Sequence, residues 1–265
     1  MAFTIKRSLV PKYFIGLWIG LLIALIHVIA TMLPLLSQLD GNNFWFSTYN
    51  RWISFDSSSW TIAFFWVIPI ISALSASQIV SDDIKSGFFW QQISKQGIIK
   101  YFCYTFPISF FSGLLTVLIP LLVNLFFAWS LFPTLKPDLI LNANAAILPQ
   151  STFLASEYYT NPANLVLLYL LLPALLGGGF ALFSATLAFF INNQFANLTA
   201  GFLITLLLTI LATIFPQKIF SPILLVAGVG FGYVPSLLTY LLVYLISLII
   251  MLLFFIWGVR KHAYV

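Results

Sequence analysis

Charge disappears from this chain in six long stretches. Residues 13–36, 59–80, 101–131, 164–190, 198–216 and 235–258 hold no Asp, Glu, Lys or Arg and are rich in Leu, Ile, Phe, Val and Ala. At about 1.5 Å rise per residue, runs of this length reach across a hydrocarbon core of roughly 30 Å. Lipid offers a peptide group no hydrogen-bond partner, so each run must close its own bonds as a helix. The pattern predicts an all-α, polytopic membrane protein: one transmembrane domain over 1–265 with six transmembrane helices. No stretch remains for a separate soluble domain.

Composition agrees. The chain is 62% hydrophobic and only 6% charged, against about 25% charged in soluble domains. The net charge of +5 raises the question of nucleic acid, but the cations sit beside the spans and form no patch with interleaved aromatics. There they meet lipid headgroups, and membrane lipids are the partners expected of them. Cys103 is the only cysteine, which excludes an internal disulfide and a multi-cysteine metal site; a small packing residue is the expectation. Lys6, Arg7 and Lys12 precede the first run as in a secretory signal. That run is far longer than a signal core of about 7–15 residues and lacks a small-x-small cleavage site, so it reads as a retained span.

The cations also predict orientation. With a cytoplasmic N-terminus the inner segments carry Lys6, Arg7, Lys12, Lys85, Lys95, Lys100, Arg260 and Lys261, and the outer ones only Arg51, Lys136 and Lys218. The excess of Lys and Arg near span ends favours this sidedness, with cytoplasmic termini. The outer loop 37–58, with Trp45, Tyr49 and Trp52 and with Trp60 just beyond it, reads as an aromatic belt at the bilayer interface. The outer segment 132–163 is rich in Asn, Pro and Ser. In 217–234, the apolar stretch 221–232 is too short to span and is broken by Pro222, Gly228, Gly230 and Gly232. It reads as a re-entrant outer segment before helix 6, or as a loop hugging the surface.

The inner segment 81–97 is the most informative polar stretch. Asp82 and Asp83 open it, and Phe89, Gln92 and Ile93 follow at helical spacing with Trp90 beside them. A helix this short is marginal alone in water and needs a surface to dock on. The plain reading of the two acids is a solvated pair at a helix end.

Six spans, cytoplasmic termini and the run Asp83-Ile84-Lys85-Ser86-Gly87 before a short helix resemble the permease subunit of type-2 ABC exporters. Lys95 to Lys100 resembles that family's basic turn, while Phe88 stands where Thr is usual and the Pro before the turn is missing. The resemblance implies that 81–97 is a cytoplasmic coupling helix lodged in a cleft of the ATPase. Asp82, Asp83, Lys85, Ser86, Gly87, Phe89, Trp90 and Ile93 would then form the docking surface. It further implies a partner ATP-binding cassette ATPase that binds ATP and Mg, and a dimer with a second permease copy or a paralogue. The setting it implies is a bacterial plasma membrane, and the cargo a peptide, bacteriocin-like toxin, lipid or drug.

The residues themselves set limits on mechanism. Nothing resembles Gly-x-x-x-x-Gly-Lys-Ser/Thr, so any ATP is bound by another chain, and no His/Asp/Glu cluster or Ser/His/Asp set points to an enzyme. No carboxylate lies within a run, which argues against an ion-coupled pump and leaves His27 without an expected acid partner at membrane depth. His27, Asn124 and Gln78 read as hydrogen-bonding residues between helices. Gly177, Gly178 and Gly179 after Pro173 read as close-packing positions or as a hinge beside a translocation path. An uncharged interior with 28 Phe in the chain suits an apolar or amphipathic cargo. The competing reading, from another class, is a membrane interaction or immunity protein that sequesters a toxin without transport.

Overall fold

The computed structural model describes residues 2–39, 46–140, 147–228 and 233–263. The described residues form helices joined by turns and loops, without strands. Six of these segments are long and apolar enough to cross a membrane: Pro11–Gln38, Ser59–Ser86, Ile98–Leu131, Pro162–Leu187, Gln194–Ile214 and Leu237–His262. They coincide with the six charge-free runs. Most extend past the runs by a few polar residues, because a helix stops at a cap rather than at the edge of lipid. Asn161 and Pro162 open the fourth span, where the missing proline N–H costs nothing. The Asn193 side chain accepts from the N–H groups of Phe195 and Ala196 to start the fifth.

Spans three and four are the central pair. Small residues let their backbones meet: a side chain on Gly113 would run into Ala181 and the Gly177 carbonyl, and one on Gly177 into Val117. A side chain on Gly178 would enter the Phe110 ring, and one on Gly179 would press on Tyr244 of span six. The fourth span runs as an unbroken helix through Pro173 and all three glycines. Each of the three glycines thus lies at a close approach to a neighbouring helix. In the most apolar stretch of span four 78% of residues are buried, against 17% in spans five and six. The fourth span is interior, and the fifth and sixth present apolar faces outward.

Two spans depart from a plain α-helix. The first turns into a π-helix at Val28–Met32, immediately after His27, and then into a 3-10 stretch at Leu33–Gln38. The second breaks after Ser59–Ala73 and resumes at Gln78–Ser86. In the break the Ser77 hydroxyl and the Gln78 amide both donate to the Ala73 carbonyl, at 3.0 and 2.6 Å.

The two ends of the bundle differ in character. At one end, here the basic end, Arg7 meets Asp83, Lys85 meets Gln194 and His262 meets the Phe189 carbonyl. At the other, the loop end, Thr48 bonds the Phe132 carbonyl, Gly228 bonds the Ser54 carbonyl and Thr152 bonds the Gly228 carbonyl.

The loop end corrects one expectation. Trp52 is not a belt residue: it is fully buried, and its indole N–H donates to the Leu121 carbonyl at 3.2 Å. Phe46, Ile53, Ser54, Phe55 and Asp56 are buried with it, so this loop folds into the bundle. Five consecutive residues, Trp52 to Asp56, are buried, and three of them are apolar, so their burial outweighs exposure to a wet interface. Trp45 lies outside the described residues. In the apolar segment before span six, a short helix Pro222–Val226 packs Ile223, Leu225 and Val226 into the core; residues 229–232 of that segment are outside the described residues.

Candidate functional site

The stretch that leads from span two to span three folds into two helical pieces at the basic end. Gln78–Ser86 ends at Gly87, whose φ of 72° is left-handed, and Phe88–Gln96 ends at Gly97, with φ 81°. Glycine enters this region without steric cost, which is what lets the chain turn between helices in one residue. The second piece is anchored by Phe89, which is buried and rings edge-on with Tyr101, Phe189 and His262. On its outer side Trp90, Gln91, Ser94 and Lys95 are exposed, and Ile93 is half-buried.

The two acids part company. Asp83 is fully buried; it is ion-paired with Arg7 and accepts a hydrogen bond from the Tyr101 hydroxyl at 3.1 Å. Asp82 is partly exposed, 2.7 Å from Lys12 Nζ and 2.8 Å from the Tyr13 hydroxyl. Burial alone would push the Arg7 guanidinium down, but the Asp83 carboxylate against it holds it above its ordinary value. Arg7 also stacks over the Phe88 ring, 4.7 Å from its centre. The N-terminal segment thus clamps the start of the candidate docking element. Of the residues expected on a docking surface, Asp83 and Phe89 are turned inward, while Lys85, Ser86 and Trp90 are exposed.

Arg7, Lys12, Tyr13 and Tyr101 were not expected as partners of these acids. The available signal was charge arithmetic: two adjacent acids beside a membrane, with cations at the start of the same side, favour pairing over solvation.

A second polar cluster lies near the loop end. His27, fully buried in span one, has its Nε2 3.0 Å from Asp56 Oδ2 and its Nδ1 3.0 Å from the Asn124 amide nitrogen. Asn124 also donates to the Ala24 carbonyl and accepts from the Ile53 N–H, both at 3.0 Å. Arg51 approaches the other Asp56 oxygen at 3.7 Å. Burial would push the Asp56 carboxyl up, yet His27, Ser58 and Arg51 together hold it below the ordinary carboxylate range. The expectation that His27 has no acid within reach is therefore corrected: Asp56 is supplied by the in-folded loop, not by a span. The argument against proton coupling from the lack of an acid at depth loses its footing with it.

Asn124 and Gln78 do bond between helices, the latter accepting from the Gln194 amide at 2.9 Å. Among the described residues no group of three His, Cys, Asp or Glu is placed to hold a metal ion. Comparison with protein-family models, with curated proteins and with solved structures finds no match to this chain.

Proposed function

We propose that this chain is the membrane-spanning permease subunit of an ATP-binding cassette exporter. It moves a hydrophobic or amphipathic cargo out of a bacterial cell, driven by a separate ATPase chain. The observation that carries the reading is the helix Phe88–Gln96, braced from inside by Phe89 and presenting Trp90, Gln91, Ser94 and Lys95 away from the bundle. Exposed Trp beside cations and amides is the chemistry of a protein interface, and Trp is enriched where partners bind. The basic bias assigns this end to the cytoplasm, where an ATPase would find it.

In this reading the docking face is made of Asp82, Lys85, Ser86, Trp90 and Lys95, while Asp83 and Phe89 hold it in place. The apolar outward faces of spans five and six are then covered by lipid and by a second permease copy or a paralogue.

The experiment is affinity purification from native membranes. A vanadate-sensitive ATPase should co-purify with the wild-type chain. Combining Trp90→Ala with Lys95→Glu should lower its recovery at least tenfold while thermal unfolding stays unchanged. Recovery of no ATPase with the wild type, or equal recovery with the double variant, overturns the reading. The first outcome leaves an interaction or immunity protein in its place.

A further inference from the structure

Between spans four, five and six lies an apolar cavity of about 370 Å³, walled by Leu176, Phe180, Leu208 and Val243. A second, of about 440 Å³, continues it toward the basic end past Phe183, Ile250 and Phe254. The two share Ser247 and Met251, residues one helical turn apart, so they join end to end rather than side by side. The crevice runs along span six from Tyr240 to Phe254. That is about 21 Å at about 1.5 Å per residue. One leaflet of the hydrocarbon core is roughly 15 Å deep, so an acyl chain fits lengthwise.

Polar groups along the crevice are nearly all engaged. The Thr205 hydroxyl donates to the Gly201 carbonyl, Ser247 to the Tyr244 carbonyl and Tyr244 to the Leu175 carbonyl. Two groups differ, and both lie toward the loop end. Tyr240 is 4% exposed and lines the cavity, and its hydroxyl makes no hydrogen bond to the described residues. Lys218 also lines the cavity and has no ion pair among the described residues. The residue before it, Gln217, sits at φ 69°, a left-handed conformation that is strained for a non-glycine residue.

From this arrangement we infer that the crevice is a binding site for a single-chain anionic lipid. Its headgroup meets Lys218 and accepts from Tyr240 at the loop end, and its tail lies between spans four and six. One cation and one free hydroxyl at one end of an otherwise apolar slot match one charged head on one chain. The slot is formed by this chain alone, so the inference stands whether or not the protein exports.

The test uses the full chain in neutral maltoside detergent. The probes are palmitic acid carrying a diazirine near its tail end and the matching palmityl alcohol. Photolabelling by the acid should saturate and map to peptides bearing Phe183, Ile250 or Phe254. Lys218→Gln should lower labelling by the acid about tenfold with labelling by the alcohol unchanged, and Tyr240→Phe should lower labelling by the acid about threefold. Equal labelling by acid and alcohol, or no effect of Lys218→Gln, overturns the anionic headgroup site. Labelling that never saturates marks an annular lipid, and absence of labelling with the crevice cross-linked to a second copy marks a protein interface; either overturns the inference.

Discussion

At the scale of single residues, the His27 cluster behaves differently from an ordinary contact between helices. An interhelical hydrogen bond in a membrane averages about 0.6 kcal/mol. Removing His27 takes a partner from two buried groups at once, Asp56 and Asn124. His27→Ala should therefore destabilise the folded protein by about 2 kcal/mol, the cost of leaving a buried charged group short of a partner, as read by thermal or denaturant unfolding in detergent. The pH dependence follows from Asp56, whose carboxyl is held below its ordinary range in the folded state. Its stabilisation is complete above the unfolded value of about 3.9 and is lost as pH falls through the lower folded value. The melting-temperature gap between wild type and Asp56→Asn should be full at pH ~7 and close below pH ~4; a gap that persists in acid would show that the carboxylate's charge is not what matters. His27 stands out in the sequence as the titratable group inside a run. Asp56 does not, because run boundaries assign it to a loop and say nothing of where that loop folds. The apolar neighbours Trp52, Ile53 and Phe55 were the legible sign that it would fold inward.

Among the elements, the six spans are plain in the sequence because excluding charge from lipid is a strong constraint that leaves long unbroken runs. The break between Ala73 and Gln78 leaves no such trace, since Leu, Ser and Ala continue the uncharged pattern through it. The turn at Gly87 is legible as a glycine between two amphipathic stretches; its partner segment, the N-terminal clamp, is not, because a pairing 76 residues apart is fixed only when spans one and two pack. Two substitutions separate these parts. Gly87→Ala meets open space but must keep φ at 72°, so it should cost about 1 kcal/mol from backbone strain alone. Asp83→Ala removes half of a buried pair and should cost about 3 kcal/mol. Trp90→Ala should leave unfolding where it is. Thermal melts of the three variants side by side check the order; a larger loss for Trp90→Ala than for Asp83→Ala would reverse the assignment of brace and face.

For the molecule as a whole, the basic residues predict a direction for the bundle. Single cysteines placed at 150 and 218, in a Cys103→Ser background, should react with an impermeant maleimide from outside intact cells. Cysteines at 85 and 261 should react only after lysis. Labelling at 85 in intact cells would invert the protein. On the exporter reading, the in-folded loop takes on a meaning for cargo passage. Trp52 is tied to span three, Asp56 to span one, and the Phe55 ring rests against Tyr169 of span four at 5.1 Å. The loop thereby ties spans one, three and four together at this end. In the exporter proposed above, a cargo passing between these three spans would have to displace the loop and break the His27 cluster as it went. A cargo that left the loop in place would have to go sideways, into the membrane.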